Sequence, residues 1–257
     1  MALAFPGSFL YSIVAYHIFS RLSRHLTGKG VTPVSKKNEQ TLDLTQGVIW
    51  KQLLRFLLPI AVGTLFQQFY NTADAIIVGQ FVGSDALAAV GGSAAVILQL
   101  VVGLFTGLSS GATVVISHAF GAQDKERLNR AVHTAIAFSV AAGAVITVVG
   151  VWLAPDALRW TRNPAEIMDS ATVYLRLYFL GTIPMLLFNM GAGILRAVGD
   201  SKRPLYFLIV CCLLNVVLDL IFVAALGMGV AGAAIATALA NLVSAVLILL
   251  QLGRTKG

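Results

Sequence analysis

Six long apolar stretches are the feature that most constrains how this chain can fold. They cover residues 56–82, 86–117, 131–154, 171–195, 204–226 and 230–252. A helix of roughly 20 apolar residues is long enough to cross the hydrocarbon layer of a bilayer. Because backbone polar groups in lipid must pair within the protein, these stretches should be helical. The sequence therefore predicts an all-α membrane protein in which residues 47–257 form a six-transmembrane-helix bundle.

The overall composition agrees with a membrane location. Of the 257 residues, 58% are hydrophobic and only 11% are charged, which is unlike a soluble domain. The net charge of +7 does not indicate a nucleic-acid partner, because the basic residues lie between the apolar stretches and not on one patch. Cys211 and Cys212 are neighbours in one stretch, so they cannot form a normal disulfide with each other.

The distribution of Lys and Arg predicts the orientation in the membrane. Basic residues are concentrated before the first stretch and after the second, fourth and sixth, whereas the other connections hold only Arg159 and Arg162. The positive-inside rule then places both termini on the cytoplasmic side of the membrane. Residues 1–46 form a separate N-terminal part, an apolar segment without the features of a signal peptide followed by a basic cytoplasmic linker.

Gly107-Leu108-Ser109-Ser110-Gly111 matches the G-x-S-x-G nucleophile elbow of serine hydrolases. That elbow requires a strand-to-helix turn, whereas this segment lies within a continuous apolar stretch. Gly103, Gly107 and Gly111 repeat every fourth residue, and this spacing predicts close helix packing on one face. We therefore expect these glycines to serve structure and not catalysis.

Two further sequence features do not indicate a cofactor or metal site. The residues from Gly227 to Gly232 match a dinucleotide fingerprint, but no acidic residue follows to bind the ribose. His118 and His133 are not grouped with other metal ligands. We therefore predict that the chain is not an enzyme and binds neither a cofactor nor a structural metal.

Two carboxylates, Asp74 and Asp219, lie inside apolar stretches, while every other acidic residue lies in a connection or a terminal segment. An ionised Asp at the centre of a membrane helix costs roughly 2.5–3.5 kcal/mol, so it is a functional candidate. At about 1.5 Å per residue, Asp74, Asp219 and Thr237 all lie about 10–12 Å below the outer helix ends. Asn215 lies one turn deeper on the same face as Asp219. The sequence predicts that these four residues meet.

A purely structural interpretation is that these groups join the helices through hydrogen bonds. Amides or hydroxyls would do so without the repulsion between two neighbouring carboxylates. That repulsion favours a site that takes up a cation, and both H⁺ and Na⁺ are compatible with it.

Taken together, the motifs resemble those of the multidrug and toxic compound extrusion (MATE) transporters, in particular the bacterial DNA-damage-inducible type. The resemblance covers residues 44–256. It is carried by Leu58-Pro59, Tyr70-Asn71-Thr72-Ala73-Asp74, Ala86 to Gly91, Gly121 to Lys125, Ile194 to Pro204, Asn215-x-x-x-Asp219 and Gly229 to Thr237.

This resemblance implies an N-terminal lobe of a twelve-helix transporter of the MATE/MOP type, which exports drugs and other organic cations by antiport against H⁺ or Na⁺. It implies that Asp74, Asn215, Asp219 and Thr237 bind the coupling ion. Pro59 matches a proline associated with helix bending, and its missing N–H gives a physical reason for a hinge. Family members carry a second lobe, so the expected partners are organic cations, the bilayer and a C-terminal six-helix lobe.

Two alternatives remain open. A lipid-linked saccharide flippase of the wider superfamily would bind an anionic substrate, and Arg176 is the basic exception inside a predicted helix. One cation against two buried carboxylates favours export of cations. The other alternative is an inert truncated half-lobe, which would fold without transporting anything.

Overall fold

The computed structural model describes residues 49–254, and within this range the chain is helical and contains no strand. The predicted N-terminal segment and linker, residues 1–46, lie outside the described residues. The elements are α1 (Ile49–Phe81), α2 (Ser84–Gly91), α3 (Ser93–Gly121), α4 (Lys125–Trp160), a 3₁₀ turn (Ala165–Ile167), α5 (Met168–Leu180), α6 (Thr182–Ala197), α7 (Lys202–Asp219), a π-helical segment (Leu220–Ala225) and α8 (Gly229–Arg254).

The prediction of a six-span all-α membrane protein is confirmed. Five spans within residues 49–254 are long and apolar enough to cross a membrane, with α2 and α3 forming one of them. The sixth span consists of α5 and α6, which are bent by 50° relative to each other. Pro184 lies in the first turn of α6, where a missing N–H is tolerated. The bend was not predicted, because the apolar stretch runs through it without interruption.

The first and third spans extend beyond the predicted bounds. α1 begins at Ile49, seven residues before the predicted start at residue 56. Pro59 therefore lies inside α1, ten positions after its first residue. α4 begins at Lys125 because Asp124 caps it, its carboxylate accepting from the backbone N–H of Arg127 at 2.9 Å. The length of an apolar stretch does not predict polar turns that extend a helix beyond it.

The centre of the bundle is α6, which packs against α3, α4 and α8. All residues from Met190 to Leu195 are buried. A Cβ atom at Gly193 would lie 2.7 Å from Thr113 Oγ1 and 2.9 Å from Ser109 Oγ. Glycine at this position therefore allows α3 to approach the α6 backbone closely.

Within residues 49–254, Gly103, Gly107 and Gly111 do not pack against a neighbouring helix, so the predicted packing face is wrong. All three are exposed, and a Cβ added to any of them would meet no atom within 4 Å. The buried residues of this segment are Phe105 and Ser109, and the Ser109 hydroxyl donates to the Asn189 carbonyl oxygen at 3.3 Å. The four-residue spacing identified a common face, but it could not tell which face of α3 meets the bundle.

Candidate functional site

The four polar residues singled out in the sequence lie on three helices that pack against one another. Asp74 comes from α1, Asn215 and Asp219 from α7, and Thr237 from α8. Asn215 and Asp219 are fully buried, while Thr237 is 4% and Asp74 is 9% exposed. An apolar protein interior is a costly place for a carboxylate, so this location requires partners for both.

Hydrogen bonds connect Asn215 on α7 with Thr237 on α8. In one orientation of the amide, Asn215 Nδ2 donates to Thr237 Oγ1 at 3.3 Å. In the reversed orientation, the amide nitrogen donates to Asp219 Oδ2 at 3.0 Å and its oxygen accepts from the Thr237 backbone nitrogen at 3.3 Å. The reversed orientation satisfies both polar atoms of the amide. Asn215 can therefore orient the Asp219 carboxyl group.

The Asp74 and Asp219 carboxyl groups interact directly with each other. Two ionised carboxylates repel at this range, so the contact needs a shared proton or a cation between them. Among residues 49–254, the Oδ1 atoms of Asp74 and Asp219 are buried without a hydrogen-bond partner. Two acceptor oxygens are thus available to a bound cation.

Three tyrosines interact electrostatically with the carboxylates, and the sequence analysis did not identify them as site residues. Tyr70 lies one turn before Asp74 on α1, and its hydroxyl donates to Thr237 Oγ1 at 3.5 Å. Tyr174 and Tyr178 come from α5, with ring centroids 6.1 Å apart. Both tyrosines interact electrostatically with Asp74, and Tyr174 also interacts with Asp219.

The chain contained a partial signal for these tyrosines. Tyr70 and Asp74 have the four-residue spacing that places side chains on one face of a helix, and so do Tyr174 and Tyr178. The first spacing could have identified Tyr70 from the sequence. The second becomes meaningful only because α5 packs against α8, the helix that carries Thr237.

A π-helical segment, Leu220–Ala225, begins immediately after Asp219. Such segments are rare and are found frequently at functional sites. The predicted continuous helix over residues 204–226 did not include this change, because the apolar composition continues through it. The carboxylate therefore lies at a junction between α- and π-helical backbone.

The site supplies only oxygen and amide groups around its two carboxylates. Oxygen ligands suit hard cations and protons, whereas soft or transition metals prefer sulfur and imidazole. No group of three or more His, Cys, Asp or Glu side chains in residues 49–254 is arranged to hold a metal ion. Asp74 and Asp219, with Thr237 and the Asn215 amide oxygen, could hold H⁺ or Na⁺.

The remaining predicted residues lie apart from this site. Pro59 precedes Asp74 by 15 positions on α1, which corresponds to roughly 22 Å along the helix. Gly103, Gly107 and Gly111 lie on the exposed face of α3 described above. The proposed hinge at Pro59 is therefore separate from the cation site, although the same helix carries both.

Comparison with known proteins identifies the family. The MatE family model matches residues 59–221, which include Asp74, Asn215 and Asp219. The chain therefore belongs to the MatE family.

Individual relatives and solved structures agree with this assignment. The chain is 30% identical over 199 residues to the probable multidrug resistance protein YpnP of Bacillus subtilis (strain 168), covering 77% of this chain and 44% of that protein. It is similar to a MATE structure solved in complex with MaD3S, with a TM-score of 0.78, 31% identity and coverage of 86% of this chain and 50% of that one.

A further similar structure is a MOP superfamily transporter from Pyrococcus furiosus Vc1, whose binding pocket of reverse polarity is reported to suggest a different function. The TM-score is 0.78 at 32% identity, over 84% of this chain and 48% of that one. The chain thus spans about half the length of these relatives.

Proposed function

We propose that this chain is the ion-coupling half of a multidrug efflux transporter that exchanges H⁺ or Na⁺ for organic cations by alternating access. The observation that carries the proposal is the buried Asp74–Asp219 pair, with unpaired Oδ1 atoms on both carboxylates. Membership of the MatE family and similarity to a probable multidrug resistance protein support it.

Coupling would arise from competition for the same negative charge. A proton or Na⁺ bound between Asp74 and Asp219 neutralises the pair, and an organic cation then loses its electrostatic attraction to the site. A ligand can shift a conformational equilibrium only through different affinities for the two states. Ion entry that favours release of the drug provides such a difference.

A polar face on α1 supports the proposal that a second six-helix lobe is a partner. Thr64, Gln67, Gln68, Asn71 and Thr72 are exposed although they lie within a membrane span. Polar side chains within a membrane almost always face protein or a water-filled cavity. A C-terminal lobe across a water-filled passage would supply that environment.

Two further parts of the proposal concern orientation and bending. The distribution of Lys and Arg supports an orientation with both termini in the cytoplasm, in what we propose is a bacterial inner membrane. Because proline lacks an N–H, Pro59 removes one backbone hydrogen bond from α1, the helix that carries Asp74. Bending at Pro59 would therefore change the position of Asp74 relative to α7.

A saccharide flippase receives less support, because the basic residue that suggested it has a backbone partner. Arg176 Nε donates to the carbonyl oxygen of Val151 at 3.3 Å. The groups buried at the site are carboxylates, which would repel an anionic lipid-linked substrate.

The test is competition between ions and an organic cation on the purified chain in detergent. Ethidium binding is measured by fluorescence while Na⁺ is raised at constant ionic strength, or while the pH is lowered. We expect ethidium to be displaced by Na⁺ or by protons, and we expect Asp74→Asn to abolish the displacement. Ethidium binding that is independent of both ions would reject coupling at this site.

A cell-based assay separates transport from binding. Cells that produce this chain together with the C-terminal lobe of a full-length relative should export ethidium. An inert half-lobe would give no export with or without the second lobe, although the purified chain could still bind ions.

A further inference from the structure

A proline interrupts the hydrogen bonds of α4 near the site. Pro155 lies inside this helix and has no N–H to donate to the carbonyl oxygen of Val151, four residues earlier. The donor comes instead from the neighbouring helix, since Arg176 Nε of α5 lies 3.3 Å from Val151 O. The guanidinium therefore replaces the backbone donor that the proline lacks.

A second hydrogen bond runs in the opposite direction between the same two helices. Thr147 Oγ1 of α4 donates to the carbonyl oxygen of Phe179 at 2.9 Å. Phe179 lies in the last turn of α5, where carbonyl groups lack their regular helical donors. Each helix thus provides a side-chain donor to a backbone carbonyl group of the other helix.

Close packing occurs between the two hydrogen bonds. A Cβ atom at Gly150 would lie 2.6 Å from ring atoms of Phe179, so the aromatic ring rests on the α4 backbone. We name Thr147, Gly150, Val151, Arg176 and Phe179 the α4–α5 clamp. Sliding α5 by one residue would move it about 1.5 Å and break both hydrogen bonds. The clamp therefore fixes the register of α5 against α4.

The opposite face of α5 carries the tyrosines of the candidate site. Tyr174 and Tyr178 are each two positions from Arg176, and residues two apart on a helix do not share a face. Tyr174 is 5% exposed and lies within electrostatic range of both carboxylates. One face of α5 thus holds the clamp, while Tyr174 on the other face belongs to the buried cluster that also contains Ile77 and Val78 of α1, the helix of Asp74.

We propose that Arg176 and Thr147 are positioning residues for the cation site, which act through the register of α5 on Tyr174 and Tyr178. This inference rests on the proposed cation binding at Asp74 and Asp219. Arg176 itself does not contact the carboxylates, because its guanidinium is engaged with Val151 on the other face of the helix.

The test is a double-mutant cycle between Arg176 and Pro155, with Na⁺ and proton binding measured by calorimetry and pH titration. Arg176→Met leaves the Val151 carbonyl without a donor, and we expect cation affinity to fall by about three- to tenfold. Pro155→Ala restores the backbone N–H. In the Pro155→Ala background, Arg176→Met should therefore change the affinity by less than about twofold.

Two variants control for charge and for folding. Arg176→Lys keeps a cationic donor and should retain most of the affinity even if Arg176→Met folds poorly. Arg159→Met removes a basic residue of the same region whose side chain is 70% exposed and paired with Asp156 on the surface. It should leave cation binding unchanged.

A readout of tyrosine position does not depend on ion binding. The chain is labelled with fluorotyrosine, and the ¹⁹F signals of Tyr174 and Tyr178 are assigned with Tyr→Phe variants. Both signals should shift in Arg176→Met and return towards their original positions when Pro155→Ala is added. Signals that do not move, or an equal loss of affinity in both backgrounds, would overturn the positioning role.

The failure of the proposed function gives a different result. If wild-type protein and Asp74→Asn bind Na⁺ and protons identically, cation binding at the pair is rejected. The ¹⁹F shifts then still decide whether the clamp positions the tyrosines, so the two failures are distinguishable.

Discussion

Tyr70 on α1 and Thr237 on α8 are joined by a hydrogen bond, with 3.5 Å between Tyr70 Oη and Thr237 Oγ1. Thr237 also bonds to Asn215 in either orientation of the amide, through its hydroxyl or its backbone N–H, at 3.3 Å. Thr237 therefore links the helix that carries Asp74 to the helix that carries Asp219. A cation held by both carboxylates would depend on the relative positions of these helices.

Removing the Tyr70 hydroxyl should weaken cation binding moderately. A hydrogen bond between neutral groups contributes about 1 kcal/mol, which corresponds to roughly a fivefold change in affinity. Tyr70→Phe should therefore reduce Na⁺ or proton affinity about fivefold in a calorimetric titration. Tyr206→Phe is the matched control, because Tyr206 is 61% exposed and lies near the start of α7, at the other end of the helix from Asp219. Equal effects of the two substitutions would exclude a specific role for Tyr70.

Most of the candidate site could be predicted from the sequence, because a carboxylate in an apolar stretch is conspicuous. Asp74 and Asp219 stood out by residue type, and helix geometry placed Asn215 and Thr237 at similar depth. Tyr174 and Tyr178 could not be found in this way. Their involvement depends on how α5 packs in the bundle, and a tyrosine in a membrane helix has no unusual energetic cost by itself.

The fold was predictable to the level of spans but not of their interruptions. Apolar length gave six spans, whereas the bend at Gly181 and the π-helical segment after Asp219 occur within uniformly apolar sequence. The sequence also could not predict which glycines pack against a neighbouring helix. Gly181 packs against Ala238 while Gly107 faces away from the bundle, and spacing alone does not distinguish them.

Substitutions at Gly181 and Gly107 should have different effects on stability. A Cβ at Gly181 would lie 2.9 Å from Ala238 Cβ and 3.1 Å from its Cα, and the backbone atom cannot move away without shifting α8. Gly181→Ala should therefore cost about 1–3 kcal/mol through overpacking. Gly107→Ala meets no atom within 4 Å and favours the helix, so it should leave stability unchanged or higher.

The measurement is thermal unfolding of the purified chain in detergent, followed by circular dichroism. Gly181→Ala should lower the Tm, whereas Gly107→Ala should not. If both variants lower the Tm equally, Gly107 is packed and the exposed face assigned to α3 is wrong.

The orientation in the membrane can be tested with introduced cysteines. Cys211 and Cys212 are only 9% and 7% exposed, so their background reaction with a maleimide should be low. Arg159→Cys lies at the end predicted to be outside, and Lys125→Cys at the end predicted to be in the cytoplasm. In intact cells, a membrane-impermeant maleimide should label Arg159→Cys and should label Lys125→Cys only after lysis. The reverse pattern would invert the proposed topology.

Asp219→Asn should abolish ion coupling while the protein remains folded and inserted. The amide keeps the size of the carboxyl group and can still bond with Asn215, but it cannot carry a negative charge or release a proton. Removing one of two neighbouring carboxylates also removes their mutual repulsion, so the Tm should stay the same or rise. Asp85→Asn, in the exposed first turn of α2, is the matched control and should behave like the wild type. Ion binding is measured by titration of the purified chain, and ethidium efflux in cells that also contain a C-terminal lobe. If Asp219→Asn binds ions with wild-type stoichiometry and exports ethidium at the wild-type rate, the pair serves only to hold the helices together.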